Sequence, residues 1–126
     1  MRAYTVAATA VTLGVTQKWV DNVLSHHRVA GVHQARQGIL RRVTPAGLLN
    51  LEIALSLGRA LGVPIARALD ISNDLMAARG GEIQLAGPPS ITLRVDVETL
   101  ERALNARLER ALEMTPVPKR GRPRYK

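Results

Sequence analysis

Cysteine is absent from the 126 residues, which excludes disulfides and thiolate metal ligands. Phenylalanine is absent too, and one tryptophan and two tyrosines bring aromatics to only 2%. The core that a 46% hydrophobic content supports must therefore be built from Leu, Val, Ile and Ala. No apolar run approaches the roughly eighteen residues of a membrane-spanning helix. The opening MRAYTVAATAVTLG lacks the cleavage pattern of a signal peptide, so a cytoplasmic setting is expected, with no membrane partner. Acids are scarce: ten Asp/Glu stand against eighteen Lys/Arg, a formal charge of +8. That balance favours a polyanionic partner, nucleic acid before anionic lipid. His26, His27 and His33 do not suggest a metal site, because adjacent helical histidines point apart and no acid is close in sequence. No nucleophile–base arrangement, phosphate-binding glycine loop or carboxylate pair stands out. Neither catalysis nor a cofactor is expected.

What is present is organised around residues 16–27, TQKWVDNVLSHH. Thr16 can cap a helix there by accepting from an amide of the first turn. At about 100° per residue, Val20, Val23, Leu24 and His27 share one arc. Lys18, Asp21, Asn22 and Ser25 share the opposite one, with Trp19 and His26 on one boundary and Gln17 on the other. Short polar groups that donate and accept can read base edges in a major groove. Upstream, residues 5–13 read as a first helix, capped by Thr5 and ended by Gly14, so the pair forms a helix-turn-helix pattern.

Downstream, the β-favouring patches 29–33 and 39–43 flank Gln34-Ala35-Arg36-Gln37-Gly38 and read as a hairpin. Thr44-Pro45 opens a helix that is apolar on nearly every side to Leu61, with Glu52, Ser56 and Arg59 as a narrow polar strip and Asn50 on the far side. It should be the structural hub. Short helical segments follow over 63–69 and 72–79, then strands over 82–86 and 91–97. Asp96 is placed to cap a last helix over 97–114. The expected fold class is mainly α, with small β-hairpins.

Residues 1–69 resemble the DNA-binding domain of the MerR and excisionase-like winged-helix family. The likeness lies in Tyr4-Thr5-Val6 with Leu13-Gly14-Val15-Thr16, in Arg41-Arg42-Val43-Thr44-Pro45-Ala46-Gly47-Leu48, and in Leu61-Gly62-Val63-Pro64-Ile65-Ala66. Two features depart from the family: the hairpin has no tyrosine, and Asp21 stands on the polar arc where a basic residue is more usual. The resemblance implies a prokaryotic regulator with a winged helix-turn-helix over 1–79, whose second helix enters the major groove of double-stranded DNA. Thr16, Gln17, Lys18, Asp21, Asn22 and Ser25 would then face bases or nearby phosphates. Arg28, Arg36, Arg41 and Arg42 would lie against phosphates, which fix position while base contacts specify.

Residues 115–126 contain Lys119-Arg120-Gly121-Arg122-Pro123-Arg124, which is similar to an AT-hook. Its glycine lets backbone approach the floor of a narrow minor groove, its proline keeps the strand extended, and its arginines follow the negative potential. Between lies 80–114, a hairpin and leucine-striped helix that must pack on the hub, on a second copy or on another protein. Since base-specific affinity usually comes from paired half-sites, a homodimer is expected through Ile91, Leu93, Val95, Val97, Leu100, Leu104 and Leu108. No small-molecule effector is expected, because too little chain remains for a sensor. The leading expectation is a dimeric, nucleoid-associated transcription regulator or architectural factor. The alternatives are an antitoxin-type repressor holding a protein partner through its C-terminal segment, and an excisionase-like DNA-bending factor.

Overall fold

The computed structural model describes residues 3–33, 41–78, 81–85, 87 and 90–114. The architecture is mainly helical, at 67% helix, with five helices and two antiparallel strand pairs among the described residues. Helix α1 (Val6–Leu13) starts where Thr5 Oγ1 accepts from the Ala8 N–H at 3.1 Å. It ends on Gly14, at φ 73°. The Gly14 and Val15 amides donate back to the Val11 and Ala10 carbonyls at 3.2 and 3.0 Å, a left-handed cap that glycine adopts without a Cβ clash. Helix α2 (Gln17–His26) then begins at once, with Thr16 Oγ1 accepting from the Trp19 N–H at 3.0 Å.

Strands β1 (Val32–His33) and β2 (Arg42–Val43) pair antiparallel, Val32 opposite Val43 and His33 opposite Arg42. They are shorter than the β-favouring patches of the sequence. Val29 is buried in the core instead of extending the ladder, and the expected tip, 34–40, lies outside the described residues. A contact that sequence reasoning missed completes this small sheet. Tyr4 donates to the Val43 carbonyl at 2.8 Å and accepts from its amide at 3.0 Å, so the entry to α1 is pinned to the hairpin.

Helix α3 (Pro45–Leu61) is the hub that its apolar pattern indicates. Thr44 caps it, and Leu48, Leu49, Leu51, Ile53, Ala54 and Leu57 are buried. It packs on α4 (Ile65–Ala78) most extensively, and also on α1, β2 and α5 (Val97–Met114). Helix α4 is continuous where the sequence suggested two segments. Ala68, Leu69, Ile71, Ser72 and Leu75 keep one unbroken buried face, so nothing forces a break near Asp70.

Strands β3 (Glu82–Leu85) and β4 (Ile91–Arg94) pair from Glu82 opposite Arg94 to Leu85 opposite Ile91. Ile83, Leu85 and Leu93 are half-buried, but Ile91, at the turn end of the ladder, is 49% exposed. The second strand stops at Arg94, short of residue 97. Val95 donates to the Gly81 carbonyl at 2.7 Å, and Asp96 already turns the chain into α5.

Asp96 caps α5 through both carboxylate oxygens, accepting from the Thr99 N–H at 3.1 Å and the Thr99 hydroxyl at 2.9 Å. These bonds, with the nearby charges of Arg102 and Arg94, hold its carboxyl below the usual aspartate range. A lowered folded-state value gives stability that is full above the unfolded value and is lost as pH falls through the folded one. In denaturation measured from pH 7 to 3, wild type should therefore exceed Asp96→Ala in stability at neutral pH. The difference should shrink as pH drops below about 4. A pH-independent difference would contradict the cap's ionic character.

Helix α5 corrects one expectation. It returns over α1 and touches α3, burying Leu104, Leu108 and Ala111 in the chain's own core. Leu104 and Leu108, expected at a dimer contact, are thus used within one copy. Helix α1 is short and offers a nearly uniform small apolar surface, which a leucine stripe covers well. Its buried Thr9 and Thr12 hydroxyls donate to the Thr5 and Ala8 carbonyls, each at 2.8 Å, so their polar groups are satisfied within the helix. The core therefore runs without interruption from Tyr4 to Leu108, across the boundary expected near residue 80. Val97 and Leu100 are half-buried at its edge. No helix among the described residues is long and apolar enough to cross a membrane.

Candidate nucleic-acid interface

The polar arc of α2 faces solvent. Thr16, Gln17, Lys18, Asp21, Asn22 and Ser25 are all exposed, above buried Val20 and Val23 and half-buried Trp19, Leu24 and His27. His26 is exposed as well, and its Nδ1 lies 2.8 Å from the Asn22 carbonyl, which accepts its N–H. The Asn22 side chain stays on the surface beside Lys18.

Arg41 has a different neighbourhood from the one expected of a phosphate contact. Its Nη1 donates to Asp21 Oδ1 at 3.2 Å and its Nη2 to Ser25 Oγ at 2.9 Å. The guanidinium therefore spans one turn of α2 and ties the hairpin to that helix. Arg28 and Arg42 are exposed. Between α2 and the hairpin lies a concavity of about 320 Å³ lined by Leu24, His27, Arg28, Gly31, Val32 and Arg41. The side chains of Arg28 and Arg41 line this hollow, the latter paired with Asp21.

The loop between α2 and β1 is held to α3 and α4 by side-chain hydrogen bonds. Asn73 of α4 donates from Nδ2 to the Arg28 carbonyl at 3.0 Å and accepts at Oδ1 from the Ala30 N–H at 3.1 Å. Asn50 of α3 donates to the same Asn73 oxygen at 2.7 Å and to the Ala30 carbonyl at 3.2 Å. The Ser72 hydroxyl bonds Asn50 through its backbone carbonyl at 2.8 Å and its side-chain oxygen. Asn50 and Ser72 are buried and Asn73 is half-buried, so the network runs from the core to the surface and links the loop to both helices. Beside it, the Gly31 carbonyl accepts from the Thr44 N–H at 3.0 Å and the Thr44 hydroxyl at 2.6 Å. Gly31, at φ 95°, lies directly on the backbone of Gly47.

Two further contacts brace the frame. Arg59 donates to the Leu13 carbonyl at 3.2 Å, tying the end of α3 to the end of α1. Glu52, 5% exposed, meets Arg107 of α5 at 2.9 Å, so part of the polar strip of α3 is covered by α5. The sequence signals for these positions were weak. Asn50 and Glu52 stood out only as polar residues in an apolar helix, and Ser72, Asn73 and Arg107 carried no signal at all.

Arg36 and the tail residues Lys119, Arg120, Gly121, Arg122, Pro123 and Arg124 lie outside the described residues. Among the described residues, no group of three or more His, Asp or Glu side chains is placed to hold a metal ion. Comparison with protein families, curated proteins and solved structures finds no match to this chain.

Proposed function

We propose that this protein binds double-stranded DNA, with the polar face of α2 in the major groove and the β1–β2 hairpin acting as a wing against phosphates. One observation carries the reading. An exposed face of short polar residues on α2 adjoins a hollow lined by Arg28 and Arg41, and an Asn50–Ser72–Asn73 network ties the loop between α2 and the hairpin to α3 and α4. This is the arrangement that the resemblance to MerR and excisionase-like winged helices implies. Lys18 and Asn22 supply donors toward base edges, while Arg28, Arg36 and Arg42 supply phosphate contacts. The tail adds a minor-groove contact of the AT-hook kind. The protein acts as a transcriptional regulator or architectural factor in the nucleoid.

Two copies on paired half-sites remain part of the proposal, joined through surface that the core leaves uncovered, where Ile91 and Leu112 are 49% and 42% exposed. The competing reading is a repressor that grips a protein partner through its C-terminal segment; the burial of Leu104 and Leu108 within the chain removes them from that contact and from the dimer contact alike.

Fluorescence anisotropy across a salt series tests DNA binding. With about five phosphates neutralised per copy, log K should fall against log salt with a slope near −4 to −5. Removing residues 115–126 should flatten the slope and lower affinity more on A/T-rich than on G/C-rich duplexes. A salt-independent signal would remove the electrostatic basis of the proposal.

A further inference from the structure

We propose that Asp21 is a specificity-determining residue: an internal competitor that holds Arg41 until a matching site takes over both partners. The inference rests on the DNA-binding reading above. Residues 1–69 contain eight Lys/Arg and two acids, Asp21 and Glu52. Glu52 is buried against Arg107, so Asp21 is the one side-chain carboxylate on the surface of this basic stretch. It stands in the middle of the polar face of α2, between Lys18 and Ser25, where an acid opposes any polyanion. Its side chain is 53% exposed, whereas that of Arg41, which bridges it to Ser25, is 21% exposed.

The chemistry of exchange follows from the acceptors involved. Carboxylate and phosphate oxygens are alternative acceptors for the same guanidinium. A duplex that approaches α2 attracts Arg41 and repels Asp21. When Arg41 turns to a phosphate, Asp21 is left facing the groove and needs a donor. The exocyclic amino groups of cytosine and adenine supply one, while guanine O6 and thymine O4 present acceptors that repel it. A matching site therefore satisfies both residues, and an arbitrary one leaves a carboxylate against acceptors and phosphates. This discriminates by penalising wrong partners more than by strengthening the right one. An acid on the groove face, the feature least suited to tight DNA binding, thereby acquires a role.

The test measures Kd of the full chain for a random-sequence duplex and for a duplex selected from a random pool, in wild type, Asp21→Ala, Asp21→Asn, Arg41→Ala and the Asp21→Ala/Arg41→Ala double variant. Release of an exposed ion pair and loss of one repulsive charge should tighten binding of Asp21→Ala to the random duplex roughly threefold to fivefold. The selected duplex should gain less or lose affinity, so the specificity ratio falls. Asp21→Asn, closest in shape, should show the same direction. In the Arg41→Ala background the gain should drop below roughly twofold, because no guanidinium remains to be released. Random-duplex affinity of both Asp21 variants equal to or weaker than wild type, with unchanged thermal stability, would overturn the inference while leaving DNA binding intact. Wild type that binds no duplex at low salt would overturn the DNA-binding reading itself, and this inference with it.

Discussion

Gly47→Ala is expected to lower stability by about 3 kcal/mol and Tm by roughly 10–15 °C, although alanine is the better helix former. A Cβ at residue 47 would sit 2.5 Å from the Gly31 carbonyl oxygen and 2.8 Å from its carbon. Both are backbone atoms, held in place because the same carbonyl accepts from the amide and hydroxyl of Thr44. Neither side can yield without breaking the cap of α3 or lifting the hairpin from the hub. Gly31→Ala should be at least as damaging, since its Cβ would lie 2.6 Å from Gly47 Cα and its φ of 95° disfavours any side chain. Thermal melts of the two variants check this. A Gly47→Ala protein as stable as wild type would mean that helix and loop do not meet here.

The second large effect is expected at Arg107. Glu52 is 5% exposed, and its Oε2 is paired at 2.9 Å while its Oε1 has no hydrogen-bond partner. Removing the guanidinium leaves a buried carboxylate without compensation, so Arg107→Ala should cost about 3 kcal/mol. The guanidinium side chain is one-third exposed, and the figure sits at the lower end of the usual range for that reason. Replacing both residues by leucine removes the buried charge and its partner together. The double variant should return to within about 1 kcal/mol of wild type or exceed it. Urea denaturation separates these outcomes. Arg107→Ala without loss would show that α5 does not cover α3 at this point.

These two sites also show what a sequence can and cannot convey. The caps Thr5, Thr16, Thr44 and Asp96 and the stop at Gly14 were legible because a cap and the amides it satisfies lie within a few residues of one another. The polar arc of α2 was legible from periodicity alone. The partners that give those elements their setting were not. Arg41 reaches Asp21 across 20 residues and Asn50 reaches Asn73 across 23, and no local pattern encodes either meeting. Gly31 and Gly47 each look like ordinary turn or helix glycines until their backbones are seen in contact.

The course of α5 was the largest difference. Its leucine stripe announces a buried face without saying against what: the hub, a second copy and another protein are all open, and a second copy is the expectation. The answer lies in α1, whose alanines and threonines read as a modest amphipathic helix but form a hydroxyl-satisfied surface against which α5 packs, with Leu104 and Leu108 buried. Arg41, expected at a phosphate, also pairs with Asp21, the acid that departs from the pattern the sequence resembles. That departure now has a partner within the fold.

The central claim is that the exposed face of α2 reads DNA. It is tested most directly by selecting bound duplexes from a random pool with the full chain, beside an Asn22→Ala/Lys18→Ala variant. An enriched motif is expected for the wild type, and loss of enrichment at one cluster of positions in the variant with general affinity largely kept. A pool bound without enrichment, or an identical motif from both proteins, would contradict it.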